Sequence, residues 1–242
     1  MKKLTSLAFI CSLLIGYCSF PAGAMGGPAP KKAETAPSAL LLADKVFMID
    51  NFESGSIKSP REWWTFELSK GEAVSNNDYK GGDEEVASEV GNYSMLISGR
   101  AKNWYAGGFG TYIGKEGQDL SKYNSFSVDV YGDGPGSGTL KVELADDDNN
   151  NWQAEQDPAK SYTFIYDDKF SYEIKIDWNG WKRVTIPFSD FVDENPQIGD
   201  DIWNPGQLNG SGGLLQVQFI CLGSTDSGNV NANIDNVMLT AK

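Results

Sequence analysis

From Lys45 onward, apolar side chains recur at every second position and never settle into a helical period. In "SFSVDVY", Phe126, Val128 and Val130 alternate with Ser127, Asp129 and Tyr131; in "TLKVELA", Leu140, Val142 and Leu144 alternate with Lys141, Glu143 and Ala145. A period of two belongs to a strand with one face in a core and the other toward water. "YEIKI" sets Tyr172, Ile174 and Ile176 on one face, and "LQVQFIC" does the same with Leu215, Val217, Phe219 and Cys221. The turn "GDGPGSG" between the first two strands supplies the backbone freedom that a hairpin needs. Roughly ten to twelve such segments, punctuated by Gly, Asn, Asp and Ser and without an internal repeat, predict an all-β chain whose two antiparallel sheets pack as a sandwich. One domain over residues 44–242 accommodates them.

"DWNGWKRVTIPFSDF", residues 177 to 191, refines that picture. Val184, Ile186 and Phe188 form the inward face of a strand. Pro187, which lacks an N–H, marks an edge strand or the strand's exit. Trp178 and Trp181 flank Gly180 in a turn at the sandwich rim, where large indoles would seal the core.

The N-terminus differs in texture. Lys2 and Lys3, an apolar run from Leu4 to Ile15 and the small-x-small site Ala22-Gly23-Ala24 form a secretory signal over residues 1–24. A lipid-anchored alternative at Cys18 would place Tyr17 where a small side chain is required. Residues 25–43, rich in Pro, Ala and Lys, read as a flexible linker. No other apolar run reaches the roughly 18 residues of a membrane span, so the expectation is an exported protein, periplasmic or extracellular, without a transmembrane segment. Loss of the signal removes Cys11 and Cys18 and leaves Cys221 alone, which precludes an internal disulfide and suits a small buried hydrophobe.

Charge and composition narrow the chemistry. The chain carries 20 basic and 33 acidic residues, a net charge of −13, and no His. Nucleic acid and anionic membranes are poor partners for such a surface. Without His, the commonest general base and most zinc sites are excluded, and any catalysis would fall to carboxylates.

Four stretches in order, "MIDNFESG" at 48–55, "DLSKYNSFSVDVYGDG" at 119–134, "GWKRVTIPFSDF" at 180–191 and "NANIDNVML" at 231–239, resemble the family 11 carbohydrate-binding modules and the related complex I intermediate-associated domains, jelly rolls of the galactose-binding-like group. The resemblance implies a structural calcium joining the first and last strands, with Glu53 and Asp235 as its carboxylates and backbone carbonyls completing an oxygen shell. It implies a sugar cleft as well. Trp104 and Tyr105 of "KNWYAGGFG" stand where the family has an aromatic beside the cleft, and Trp203, with Asp201 near it, where the family has another. Gln218 occupies a position at which the family carries a cleft His, and Trp152 would close one end. Leu215 and Cys221 depart from the family, since cleft polar or aromatic groups are expected there. The acidic run "ADDDNNNW" at 145–152 lacks the Gly and distal Glu of a helix-flanked calcium loop, so residues 146–151 read as a solvated hairpin tip, with a second ion as the alternative.

The leading expectation is therefore a non-catalytic module that binds a neutral polysaccharide or oligosaccharide. The alternative is an envelope scaffold or assembly protein that uses the same sandwich to bind a protein partner. A glycosidase needs two carboxylates about 5–9.5 Å apart. Glu173 and Asp177, four apart on one strand face, stand roughly 13 Å apart by strand rise. Asp129 and Glu143, expected on neighbouring strands, are the remaining pair.

Overall fold

The period-two segments all fold as strands. The computed structural model describes residues 45–160 and 162–241, so the signal segment 1–24 and the linker 25–43 lie outside the described residues. Strands β1 (Val46–Asp50), β3 (Lys70–Ser75), β4 (Tyr93–Arg100), β6 (Ser125–Asp133), β11 (Asn179–Pro187) and β14 (Asn229–Thr240) form one six-stranded antiparallel sheet in the order β11-β6-β14-β4-β3, with β1 beside β14. The second sheet is also six-stranded: β2 (Trp64–Phe66), β5 (Tyr105–Tyr112), β7 (Thr139–Asp147), β10 (Asp168–Lys175), β12 (Val192–Asp193) and β13 (Gly213–Leu222), in the order β12-β10-β7-β13-β5-β2. A ribbon of β8 (Gln156–Asp157) and β9 (Thr163–Phe164) stands apart. The chain is a two-sheet jelly-roll sandwich. No helix among the described residues is long and apolar enough to cross a membrane.

Between the sheets lies an aromatic core. Phe52, Trp63, Phe109, Phe126 and Phe219 are all buried, with Phe109 stacked on Phe219 at 4.6 Å and Trp63 reaching both Phe52 and Phe109. Burying each such ring contributes about 1.5–3 kcal/mol. The Trp63 indole donates to Asp50 Oδ2 at 2.9 Å, and Asp50 Oδ1 accepts the Phe52 N–H, so the buried carboxylate is satisfied. Cys221 is buried among these groups, and burial pushes its thiol up to about 12.

Three expectations are corrected. The Gly-rich turn 134–138 does not close a hairpin within a sheet: β6 pairs with β11 and β14, β7 with β10 and β13, so the turn carries the chain from one layer to the other. The apolar faces of the two strands then meet across the core. Asp129 and Glu143 consequently sit in different sheets and cannot act as a pair. In β13 the register shifts between Leu214 and Gln216, so Leu214 joins the core cluster and Leu215 does not, although both are buried. A bulge adds one residue and resets the alternation.

The paired indoles of the 177–191 segment part company. Trp178 packs against the core with its Nε1 donating to Val130 O, at the mouth of the sandwich. Trp181 is buried on the other face of its strand, beneath the connection from β3 to β4. Its Nε1 donates to Tyr79 O, and its ring meets Tyr131, which in turn meets Tyr79. That connection leaves β3 at one edge of the sheet, crosses to β11 at the opposite edge and returns through helix α1 (Glu84–Glu89), capped by the Asp83 carboxylate. At the edge, Trp181 N donates to Gly81 O and Asp83 N to Trp181 O, which covers the free ladder of β11. Pro187 ends the same strand, as an edge position allows.

Candidate functional site

With the β3–β4 connection over one sheet, the outer face of the other carries the candidate site. Its pairing registers place Trp64, Gly110, Gln218, Glu143 and Ser171 in one row across five strands, and Phe66, Gly108, Ile220 and Lys141 in the next. The glycines give the row its form. A Cβ on Gly110 would lie 2.6 Å from the Trp64 ring, and one on Gly108 2.4 Å from the Phe66 ring, so both rings sit directly over bare backbone. Tyr112 flanks Trp64 with ring centroids 5.1 Å apart. Trp64, Phe66, Glu143, Gln218 and Ile220 from these rows, with Glu67, Tyr105, Lys169, and Gln156 and Tyr162 from the segment around β8 and β9, line a groove of about 500 Å³.

The groove's polar groups are ordered. Gln218 Nε2 donates to Glu143 Oε2 at 3.0 Å. Lys141 and Lys169 each pair with both Glu143 and Glu194, and Ser171 Oγ donates to Glu194 at 2.8 Å. Burial works against ionisation of Glu194, but the bonds from Lys141 and Ser171 prevail and hold its carboxyl below the ordinary range. Within this network two cations offset two anions, and Glu67 adds an acidic group to the groove's wall.

The structure brings two of the sequence-derived ligand residues, Tyr105 and Gln218, into this groove. The others lie elsewhere. Trp104 is 52% exposed and lines a separate groove of about 340 Å³ with Thr139, Glu173, Lys175 and Leu222. Trp203 packs on Phe170 and Phe188, beside the core, and lines a third depression. Asp201 accepts the Gln197 N–H and so fixes its own loop. Trp152 is half-buried behind the acidic run, with its backbone N–H donated to Asp147 Oδ2 at 2.6 Å. Sequence reading passed over Trp64, Phe66 and Tyr162; the available signal was the alternating glycine of "AGGFG" opposite "WWTF".

Glu53 and Asp235 come together where the termini meet. Along one side of β14, β4 covers residues 229–234 and β1 covers 237–240, and Asp235 falls in the gap between them. A register shift there sets Asn236 at φ +43. Glu53 enters the gap, accepting from Tyr93 N at 2.8 Å and Asn92 Nδ2 at 3.1 Å. Burial first, then the charges of Asp129 and Glu53, push Asp235 up to about 8. Its Oδ2 is buried and has no hydrogen-bond partner among the described residues, so the donor set fits an added cation. Asp129 is spent otherwise: Arg183 forks onto both its oxygens at 2.7 Å and also reaches Glu89 at 2.8 Å.

Of the run 146–151, the tip Asn149, Asn150 and Asn151 is exposed as expected, but the aspartates before it are not solvated. Asp146 and Asp147 end β7, Asp168 begins β10, and all three are buried, as is Asp167. One oxygen from each of Asp146, Asp148 and Asp168 lies within 4.8 Å of the others. Two carboxylates 4.8 Å apart repel by roughly 3 kcal/mol at an effective dielectric near 20. Burial, chiefly, with the neighbouring aspartates adding to it, pushes Asp146 up to about 9, Asp168 to about 7 and Asp148 to about 6.

The class that fold and groove define is a jelly-roll sandwich with one sheet face open and lined by aromatic rings. No family model matches the chain. No curated protein matches it either. Solved structures similar to it include the family 11 carbohydrate-binding module of a cellulosomal cellulase of Clostridium thermocellum, 17% identical over 81% of this chain and 95% of that one, with a TM-score of 0.46. The family 11 module from Clostridium thermocellum in complex with a β-1,3-1,4-mixed-linked tetrasaccharide is 20% identical over 81% of this chain and 96% of that one, with a TM-score of 0.47. The CBM22-2 xylan-binding domain from Paenibacillus barcinonensis is 18% identical over 80% and 98%, with a TM-score of 0.39. At these identities and scores the likeness adds nothing to what the sheet order already gives.

Proposed function

We propose that the protein is an exported, non-catalytic module that binds a neutral glycan chain in the groove on its open sheet. The observation that carries this reading is the pair Trp64 and Phe66, seated over Gly110 and Gly108, beside Gln218 and Glu143 in adjoining rows. Flat rings match the apolar C–H faces of pyranoses, while amide and carboxylate groups take hydroxyls, the division of labour expected of a ligand site with few polar anchors. The paired charges of the floor and the added carboxylate of Glu67 disfavour an anionic ligand, which leaves a neutral chain. A groove, rather than a flat apolar face, favours a glycan over the protein partner of the scaffold reading.

Calcium at Glu53 and Asp235 is part of the proposal, as a tie between the first and last strands. Its support is the unpartnered Asp235 Oδ2 beside the Glu53 carboxylate. Affinity electrophoresis against a panel of soluble neutral polysaccharides, with calcium present, tests the glycan reading. The wild type should be retarded by at least one of them, and Trp64→Ala should weaken that retention by about tenfold or more, the loss of a central aromatic anchor. No retardation on any gel rejects the reading.

A further inference from the structure

We propose that Asp146, Asp148 and Asp168 form a binding site for a divalent cation of the calcium class, separate from the strand-terminal pair Glu53 and Asp235, and that the ion clamps together the two ends of the 148–167 excursion. Acidic clusters are common on protein surfaces; this one is distinguished by how its oxygens are used. Each of the three carboxylates has Oδ2 fixed by a backbone N–H: Asp146 by Asn204 at 2.8 Å, Asp148 by Asp168 at 2.9 Å and Asp168 by Ile202 at 3.1 Å. Each has Oδ1 buried and without a hydrogen-bond partner among the described residues. Asp146 and Asp168 are 0% exposed. A buried, unpartnered anionic oxygen is costly, and three in one place require a shared counter-charge.

The geometry and chemistry suit calcium. Oxygens bound to one ion at about 2.4 Å can be at most about 4.8 Å apart, and one ligand oxygen from each residue meets that limit. An all-carboxylate set without His, Cys or Met selects a hard cation. Protein cations do not serve instead: Lys169, next to Asp168 in sequence, and Lys141 are both spent on Glu143 and Glu194. The third wall is backbone. Gly199, at φ +77, approaches so closely that a Cβ would lie 2.3 Å from Asp148 Oδ2 and Asp168 Oδ1. The loop through residues 199–204 is thereby joined to both ends of the excursion, whose far part brings Gln156 and Tyr162 to the groove.

Calorimetric titration of the EDTA-stripped full chain with calcium chloride tests the site, with Asp146→Asn/Asp168→Asn, Asp148→Asn and Asp235→Asn in parallel. The double variant should bind one equivalent fewer than wild type, whereas Asp235→Asn should retain that equivalent. Asp148→Asn, at a partly exposed position, keeps the fold and should weaken the same equivalent by about tenfold or more. Thermal melting gives a readout that a merely structural role would not produce. In EDTA the double variant should melt at or above wild type, because two buried carboxyls whose Oδ1 lacks a partner are replaced by uncharged amides of the same shape. With calcium a hundredfold above its Kd, wild type should rise by roughly 5–10 °C, and the double variant should lack that site's share of the rise. The proposal is overturned if wild type binds no calcium, if the double variant binds as many equivalents with the same Kd, or if it melts below wild type in EDTA.

Discussion

Arg183 neutralises a buried carboxylate on the outer face of the β11-β6-β14 sheet, and Arg183→Met isolates its charge while keeping much of its apolar stem. Asp129 is 0% exposed, and both of its oxygens receive the guanidinium at 2.7 Å; without it, only Asn236 Nδ2 at 2.9 Å remains as a donor. The change leaves a carboxylate buried beside a second one, Asp235. Breaking a buried pair by removing one partner costs about 3–5 kcal/mol. The other arm, to the half-exposed Glu89, adds about 1 kcal/mol at most. For a domain of this size each kcal/mol moves the melting midpoint by roughly 2–4 °C, so a fall of roughly 6–24 °C is expected. Urea unfolding followed by tryptophan fluorescence gives the free energy directly. Asp129→Asn/Arg183→Met should lose much less than the sum of its single changes, because it removes both charges together. A loss below about 1 kcal/mol for Arg183→Met would show that the pair behaves as a solvated surface bridge and that Asp129 is not desolvated.

Other consequences can be checked singly. Gly82→Ala should destabilise by about 1–3 kcal/mol or more in the same assay, since Gly82 sits at φ +101 and its added Cβ would meet Trp181 N at 2.1 Å. Cys221 should resist thiol reagents in the native protein and react only as fast as the sandwich opens, because burial holds the thiol protonated well beyond neutral pH; rapid native labelling would contradict its placement. EDTA should lower the thermal midpoint, and Asp235→Asn should reduce that fall; a midpoint indifferent to chelator would remove calcium from the molecule altogether.

The sandwich was legible because alternation is a local signal: Phe126, Val128 and Val130, or Leu140, Val142 and Leu144, reach the core just as period two predicts. What alternation cannot convey is which strand pairs with which. The Gly-rich turn 134–138 looks the same whether it joins partners in one sheet or strands in two, and the difference moved Asp129 and Glu143 to separate layers. Bulges hide as well, and the one before Gln216 exchanged Leu214 for Leu215 at the core. For the site, the family resemblance pointed to the loop aromatics Trp104 and Trp203, whereas the groove's rings come in part from β2, a strand of three residues that is too short to show a period. The acidic run misled for the opposite reason. Its residues are polar by type, but non-local partners at 168 and 199–204 bury them, and a one-dimensional reading has no term for that.

Of the sandwich's two outer faces, one is crossed by the β3–β4 connection and the other carries the Trp64 row, the surface on which the proposed glycan is placed. The reading of that row as a platform makes a demand on a residue no ligand need touch. Gly110 lies outside the left-handed region, so Gly110→Ala is permitted by the backbone, yet its methyl would stand 2.6 Å from the Trp64 ring and 2.9 Å from Val217 O. The ring must then tilt off the sheet. Retention on a polysaccharide gel should fall toward that of Trp64→Ala, and tryptophan fluorescence should shift, while the melting midpoint moves by no more than the few degrees that about 1–2 kcal/mol of strain commands. If Gly110→Ala binds as tightly as wild type, the ring over bare backbone is a packing arrangement only, and the glycan surface must be sought around Trp104 or Trp203 instead.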